Sequence, residues 1–265
     1  MSGSVLVTGA SSGIGAAAAS LLASEGWRVF GTSRRPPTAS RPGVEWIEMD
    51  VRDEDSVRAG VALASRHAGH LDALVCNAGF GVFGSIEEVP LATAREQFDT
   101  NVFGVLSCVR AILPDFRSRR AGRIILVGSL AGRVPIPFQG HYSATKAAVD
   151  SLAQALRMEL SPFGVEISLV EPGDIRTAFN DATDFSLAMR SAYGARIARC
   201  EGVIRRSLEK APEPTLVART ILRALTARRP RTRYPVGPDS RLVPLGRRLL
   251  PDWIAERLVR LHFQV

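Results

Sequence analysis

Short apolar runs recur along the chain, separated by stretches in which apolar residues return every three or four positions. Ser4-Val5-Leu6-Val7-Thr8 reads as a strand, and Gly122-Arg123-Ile124-Ile125-Leu126-Val127-Gly128 as a strand buried in a sheet. Further strands are predicted at 27–33, 44–49, 71–76 and 165–170, with helices at 54–66, 91–117 and 143–160. A helical run, Ala16-Ala17-Ala18-Ala19-Ser20-Leu21-Leu22, follows the first strand after a glycine-rich turn. Strands alternating with helices imply right-handed crossovers and a parallel sheet covered on both faces. The Arg/Pro-rich stretches at 34–42 and 228–235 read as loops, and no internal repeat interrupts the pattern.

The expected fold is therefore α/β, a doubly wound, Rossmann-like parallel sheet. At 265 residues and 46% apolar content the chain can bury a full core, and residues 1–265 are read as one domain. Within it, 1–177 form the core, 178–212 a helical cover and 233–265 a C-terminal extension. Cys76, Cys108 and Cys200 have no metal-ligand spacing and are too few for a disulfide scaffold, which fits a reducing compartment. His67 and His70 read as surface residues, and no metal site is indicated. No signal peptide precedes the first strand and no stretch is long enough to span a bilayer, so a cytoplasmic protein is expected. A net charge of +8 raises the question of nucleic acid, but the arginines are spread along the chain and no recognised binding fold accompanies them.

The candidate chemistry lies in two places. Thr8-Gly9-Ala10-Ser11-Ser12-Gly13-Ile14-Gly15 joins the first strand to its helix, the order a phosphate cradle needs. Gly9 lets the chain turn, Gly13 lets backbone approach a pyrophosphate, and Gly15 seats the helix against the sheet. The spacing is Gly-x-x-x-Gly-x-Gly, not the commoner Gly-x-Gly-x-x-Gly. Ser129 falls just past the strand at 122–128, where open parallel sheets place their ligands. Tyr142 and Lys146, four apart, project from one helix face. A nearby ammonium should lower the phenol's pKa and let it exchange a proton with a carbinol oxygen that Ser129 also contacts. The plainer alternative is an ordinary aromatic beside a solvated lysine. Composition weighs against it, because of 34 Lys plus Arg only Lys146 and Lys210 are lysine.

Together these motifs resemble the short-chain dehydrogenases/reductases over roughly residues 4–177, with Asn77-Ala78-Gly79, Asn101 and Pro172-Gly173 followed by Thr177 in the family's order. The resemblance implies that Asn101 helps hold a proton-relay water beside Lys146. It implies that Asp50, with Val51, meets the adenine, that Asn77, Ala78 and Gly79 border the adenosine, and that Pro172, Gly173, Ile175 and Thr177 pass the nicotinamide. Ser11, Ser12 and Ile14 belong to the implied cofactor turn. At the end of the second strand Ser33, Arg34 and Arg35 stand where an acidic residue would repel a 2′-phosphate, so the expected cofactor is NADP.

In the family the region past Thr177 covers the substrate, and here it carries Phe179, Phe185, Leu187, Met189, Tyr193, Ile197, Val203 and Ile204, which suggests an apolar substrate. The tail resembles the steroid and retinol dehydrogenase branch more than the acyl-carrier-protein ketoreductases. Its final helix sets Leu250, Trp253, Ile254, Leu258 and Leu261 beside Arg247, Arg248, Arg257 and Arg260, for its own chain, a partner subunit or an anionic membrane surface. The expected protein is an NADP-dependent oxidoreductase acting on a small apolar alcohol/carbonyl pair, as a homodimer or homotetramer. A 3-oxoacyl thioester reductase and a non-catalytic NADP-binding sensor are the alternatives. The intact Ser129, Tyr142 and Lys146 set favours an enzyme over a sensor.

Overall fold

The computed structural model describes residues 3–37, 41–177, 192–237 and 239–265. Seven strands, β1 (Ser4–Val7), β2 (Arg28–Ser33), β3 (Val44–Glu48), β4 (Ala73–Cys76), β5 (Gly122–Val127), β6 (Val165–Pro172) and β7 (Arg233–Val236), form one sheet in the order β3-β2-β1-β4-β5-β6-β7. Every neighbouring pair is parallel. The order of the strands reverses at β1, between β2 on one side and β4 on the other, which makes the carboxyl ends of β1 and β4 the rim of a ligand crevice.

Each strand feeds two cores, because successive side chains point to opposite faces. Leu6, Leu74, Ile124 and Leu126 pack beneath α2 (Glu54–Ala68), α4 (Gly104–Arg119) and α5 (Gly140–Leu160). Val5, Val7, Ala73, Val75, Ile125 and Val127 pack under α1 (Gly13–Ser24) and the helix Pro214–Thr226. Burial on both faces explains why the central strands show apolar runs instead of alternation. Asp53 caps α2 by accepting from the Asp55 and Ser56 amides at 2.9 and 3.4 Å, a contact worth about 1 kcal/mol.

Three expectations are corrected. The helix predicted at 91–117 is α3 (Leu91–Phe98) and α4 joined by a π turn, Asp99–Phe103, in which Asn101 turns inward to hydrogen-bond neighbouring elements. The stretch at 228–235 is not all loop, since β7 begins at Arg233 with Tyr234 and Val236 buried. Pro235 is tolerated there because β7 is an edge strand and its missing N–H interrupts no second ladder. The single final helix is two, Asp239–Leu249 and Asp252–Phe263, separated at Pro251. Asp239–Leu249 packs on β7 and Asp252–Phe263 on the helix Gly194–Glu209; with Pro214–Thr226 these four are α6 (Gly194–Glu209), α7 (Pro214–Thr226), α8 (Asp239–Leu249) and α9 (Asp252–Phe263). Phe179, Phe185, Leu187 and Met189 lie outside the described residues.

Candidate active site

A cleft of about 1060 Å³ opens along the carboxyl ends of the strands, slightly larger than the roughly 300–1,000 Å³ usual for small-molecule sites. Its glycine end is set by β1. Gly9 has φ +64°, and a Cβ there would stand 2.9 Å from the Ala78 Cα. A Cβ on Gly15 would meet the Gly9 carbonyl oxygen at 2.3 Å, so only glycine lets α1 start this close to the turn. The Thr8 hydroxyl accepts from the Asn77 and Ala78 amides at 2.9 and 3.0 Å, and the Asn77 side chain donates to the Thr8 and Gly9 carbonyls at 3.0 and 3.2 Å. These bonds tie the end of β4 to the glycine turn, and Ser12, Gly13 and Ile14 at the start of α1, where helix amides lack partners within the helix, line the cleft.

Of the catalytic and cofactor-binding residues expected from the sequence, all but Gly15, Arg35 and Asn101 line this cleft. Gly15 lies beneath the turn as a packing residue. Arg35 is exposed, and its backbone exchanges hydrogen bonds with the Ser33 hydroxyl at 3.1 and 3.4 Å. Arg34 is exposed at the lip, and its charge reaches Asp50. Asp50 itself is gripped by Arg52, whose Nη2 lies 2.7 Å from its carboxylate, and that bond holds its pKa below the usual value. Arg52, which also lines the cleft, was invisible as a site residue because the sequence offers it only as one more arginine after a turn.

The chemical end is built on β5 and α5. Ser129 follows β5 and caps a short 3₁₀ turn, Leu130–Gly132, by accepting from the Ala131 amide at 3.1 Å. Tyr142 sits in the first turn of α5, which begins at Gly140 and not at 143 as predicted. Lys146 is buried, with Nζ donating to the Val127 carbonyl at 2.9 Å and standing 5.8 Å from the Tyr142 ring centre. Burial lowers the Lys146 ammonium to about 8. Burial likewise pushes the Tyr142 phenol up to about 12; a hydrogen bond with Ser129 pulls the other way, and the negative charge of Asp174 adds to the rise. The expectation of a lowered phenol pKa is therefore overturned for this state of the site, because withdrawal of the phenol from water is the largest cause.

Asn101 does not touch the cleft. Its Oδ1 accepts from the Phe80 amide at 3.0 Å, and its Nδ2 donates to the Phe80 carbonyl and to Thr145 Oγ1 at 2.9 and 3.1 Å. Thr145 Oγ1 in turn donates to the Tyr142 carbonyl at 2.7 Å, so Asn101 braces the first turn of α5 against the loop after β4. These bonds occupy its side chain and hold it in a bracing position. A second brace was not legible. Arg233 on β7 pairs with Asp150, one turn beyond Lys146 on α5, and at 2.8 Å with buried Glu171, just before Pro172. It fastens the helix that carries Tyr142 and Lys146 to the end of β6.

The far wall comes from α6, α8 and α9 and is largely apolar, with Ser207, Asp239, Arg247 and His262 among its lining residues. Ile204 and Leu208 of α6, Val243 and Leu250 at α8, and Leu258, Val259 and Phe263 of α9 line the cleft. Of the predicted cover, Tyr193 and Ile197 pack instead with Phe83 and Phe138, whose rings lie 6.2 Å apart. Phe138 has φ +62°, a strained value for a residue with a Cβ, two residues before the start of α5.

The Lys146 shift sets a pH dependence. Its ammonium is intact below about 8 and is lost above it, so kcat/KM of a reaction that needs the charged form is expected to fall as pH rises through 8. A flat profile from pH 7 to 10 would show that Lys146 does not titrate in this range.

A doubly wound sheet with a glycine turn at its switch point and a Ser-Tyr-Lys set in one cleft defines a dinucleotide-dependent oxidoreductase. The family model for short chain dehydrogenase matches residues 4–186, and the chain belongs to that family, whose members use a nicotinamide cofactor. It is 34% identical to the 3-ketodihydrosphingosine reductase of Bacteroides thetaiotaomicron over 267 residues, covering 98% of each chain. To the 17-beta-hydroxysteroid dehydrogenase type 1 of Homo sapiens it is 36% identical over 274 residues, covering 94% of this chain and 81% of that one. The solved structure of a short-chain dehydrogenase from Streptomyces avermitilis matches with a TM-score of 0.81 at 30% identity, covering 98% of this chain and 95% of that one.

Proposed function

We propose that the protein is an NADP-dependent carbonyl reductase or alcohol dehydrogenase for an apolar substrate, acting in the cytoplasm. The observation that carries this reading is one cleft shared by Ser129, Tyr142 and Lys146, by Arg34 at the lip beyond β2, and by the apolar wall of α6, α8 and α9. The three cysteines are free and buried, which suits a reducing compartment. Among the described residues no helix is long and apolar enough to cross a membrane. The likeness to a 3-ketodihydrosphingosine reductase and to a hydroxysteroid dehydrogenase points to the same substrate class.

The residues present fit a dinucleotide. Gly9 and Gly13 both hold positive φ in the turn, and Thr32, which lines the cleft, has a buried hydroxyl with no hydrogen-bond partner among the described residues. The glycine turn would hold the pyrophosphate, Thr32, Ser33 and Arg34 the adenosine ribose and its 2′-phosphate, and Ile175 and Thr177 the nicotinamide end. When bound, the cofactor supplies or takes up the hydride. Ser129 then donates a hydrogen bond to the substrate's carbonyl oxygen, and Tyr142 Oη passes its proton to that oxygen. Lys146 keeps positive potential beside the developing charge. A phenol near 12 is fully protonated at neutral pH, the form that a proton donor in the reducing direction requires. Helices α6, α8 and α9 would shield the substrate from water.

Two measurements test this reading. Arg34→Gln removes charge-assisted bonds to a 2′-phosphate and should weaken NADPH by about 1.5–3 kcal/mol, roughly 10- to 150-fold, with NADH almost unaffected. Equal losses for both cofactors, or a wild-type preference for NADH, would remove Arg34 as the clamp. In a homologous series of ketones, each added methylene should contribute up to about 0.8 kcal/mol until the apolar wall is covered. Efficiency that stays level or falls along the series rules out an apolar pocket and leaves the hydride-transfer assignment standing.

A further inference from the structure

Seven of the twelve exposed large apolar side chains among the described residues fall in α8 and α9. The inner faces of these helices line the cleft through Gly246, Leu250, Val259 and Phe263. The outer faces are apolar as well. Leu242, Leu245 and Leu249 recur at helical spacing on α8, and Trp253 and Leu261 stand two turns apart on α9, with Leu249 74% and Trp253 67% exposed. Such a patch on a soluble chain calls for an occupant.

Charge decides which. Residues 239–263 contain five arginines against three carboxylates. Arg247 is paired with Asp252 and Arg260 with Glu256, whereas Arg248 and Arg257 are exposed and have no carboxylate partner among the described residues. A second copy of the chain docked here by two-fold symmetry would lay this basic patch against itself. An anionic surface with an apolar interior satisfies both sets at once, the arginines on phosphate and the leucines with Trp253 among the upper acyl chains.

From this we infer that the outer face of α8 and α9 docks on an anionic lipid bilayer, lying in its interface without crossing it. The opposite face of the same two helices is the apolar wall of the cleft, so a molecule dissolved in the bilayer would reach Ser129 and Tyr142 between them without passing through water. That delivery step rests on the apolar-substrate reading above, and the docking itself does not.

The test uses the full chain with vesicles of phosphatidylglycerol and phosphatidylcholine, and with phosphatidylcholine alone. Co-sedimentation should be at least tenfold stronger on the anionic vesicles and weaken in high salt, since each arginine near such a surface contributes about fivefold. Trp253 emission should shift to the blue on binding, and Trp253→Phe should abolish the shift, because Trp27 is buried and Trp46 half-buried. Arg248→Glu with Arg257→Glu should reduce binding to the phosphatidylcholine level while leaving reduction of a short, water-soluble ketone unchanged, which also shows that the variant is folded. Equal binding to both vesicle types, or a dimer in solution that Leu249→Glu dissociates, overturns the proposal. Vesicle binding by a protein that reduces no ketone would leave the docking surface in place and remove the proposed function instead.

Discussion

Replacing Tyr142 with Phe is expected to lower turnover by roughly 10²–10⁴-fold, the scale of one positioned acid/base, while the affinity for the nicotinamide nucleotide stays near its original value. The substitution keeps the ring in place and deletes only the hydroxyl. Helix α5 should not notice the loss, because its first turn is held from behind by Thr145 on the Tyr142 carbonyl and by Asn101 on Thr145, neither of which uses the phenol. Lys146 keeps its bond to the Val127 carbonyl. A buried phenol raised to about 12 is a neutral group at pH 7, so removing it changes no charge in the cleft and should not disturb a bound anion. Single-turnover kinetics separate the chemical step from binding, and cofactor fluorescence measures affinity directly. Turnover within a few-fold of the original would remove Tyr142 as the proton donor.

The glycine turn, Ser129, Tyr142 and Lys146 were legible because each sits at a fixed place on a periodic frame, just past a strand or one turn apart on a helix. Ser129 could be placed at a strand's carboxyl end from Ile124-Ile125-Leu126-Val127 alone, and β5 ends where that run does. What escaped the sequence depends on contacts between distant segments. Pattern reading takes Arg233 for one charge in an Arg/Pro-rich loop, since nothing local marks its partners Asp150 and Glu171, 83 and 62 residues away. Asn101 reads as a polar residue in a long helix until Phe80 and Thr145, 21 and 44 residues distant, pull it inward and widen the helix into a π turn. The direction of the Tyr142 shift was missed for a related reason. Spacing reports that a lysine is near, but only the assembled cleft reports how much water has been removed, and here burial wins. The apolar wall was half legible: the apolar stripe in the tail could be read, but not that Pro251 folds it into two helices with one face on the cleft and the other on solvent.

Ser129→Ala should reduce turnover by roughly 10²–10³-fold, the usual consequence of losing one donor to a reacting oxygen. Ser129 has a second duty that makes this variant informative. Its hydroxyl also accepts from the Ala131 amide and caps the short turn Leu130–Gly132, and removing such a cap costs about 1 kcal/mol of stability. The two roles separate by measurement, since the cap acts on thermal stability and the donor on kcat. Loss of the hydroxyl also removes the Ser129 hydrogen bond that lowers the Tyr142 pKa in the unliganded site. Ser129→Thr tests the assignment from the other side: it restores a hydroxyl able to cap the turn and donate to the substrate. Thermal stability and turnover should both recover in part if the donor role is real. Recovery of stability with no recovery of turnover would reduce Ser129 to a structural cap and leave the carbonyl oxygen to Tyr142 alone.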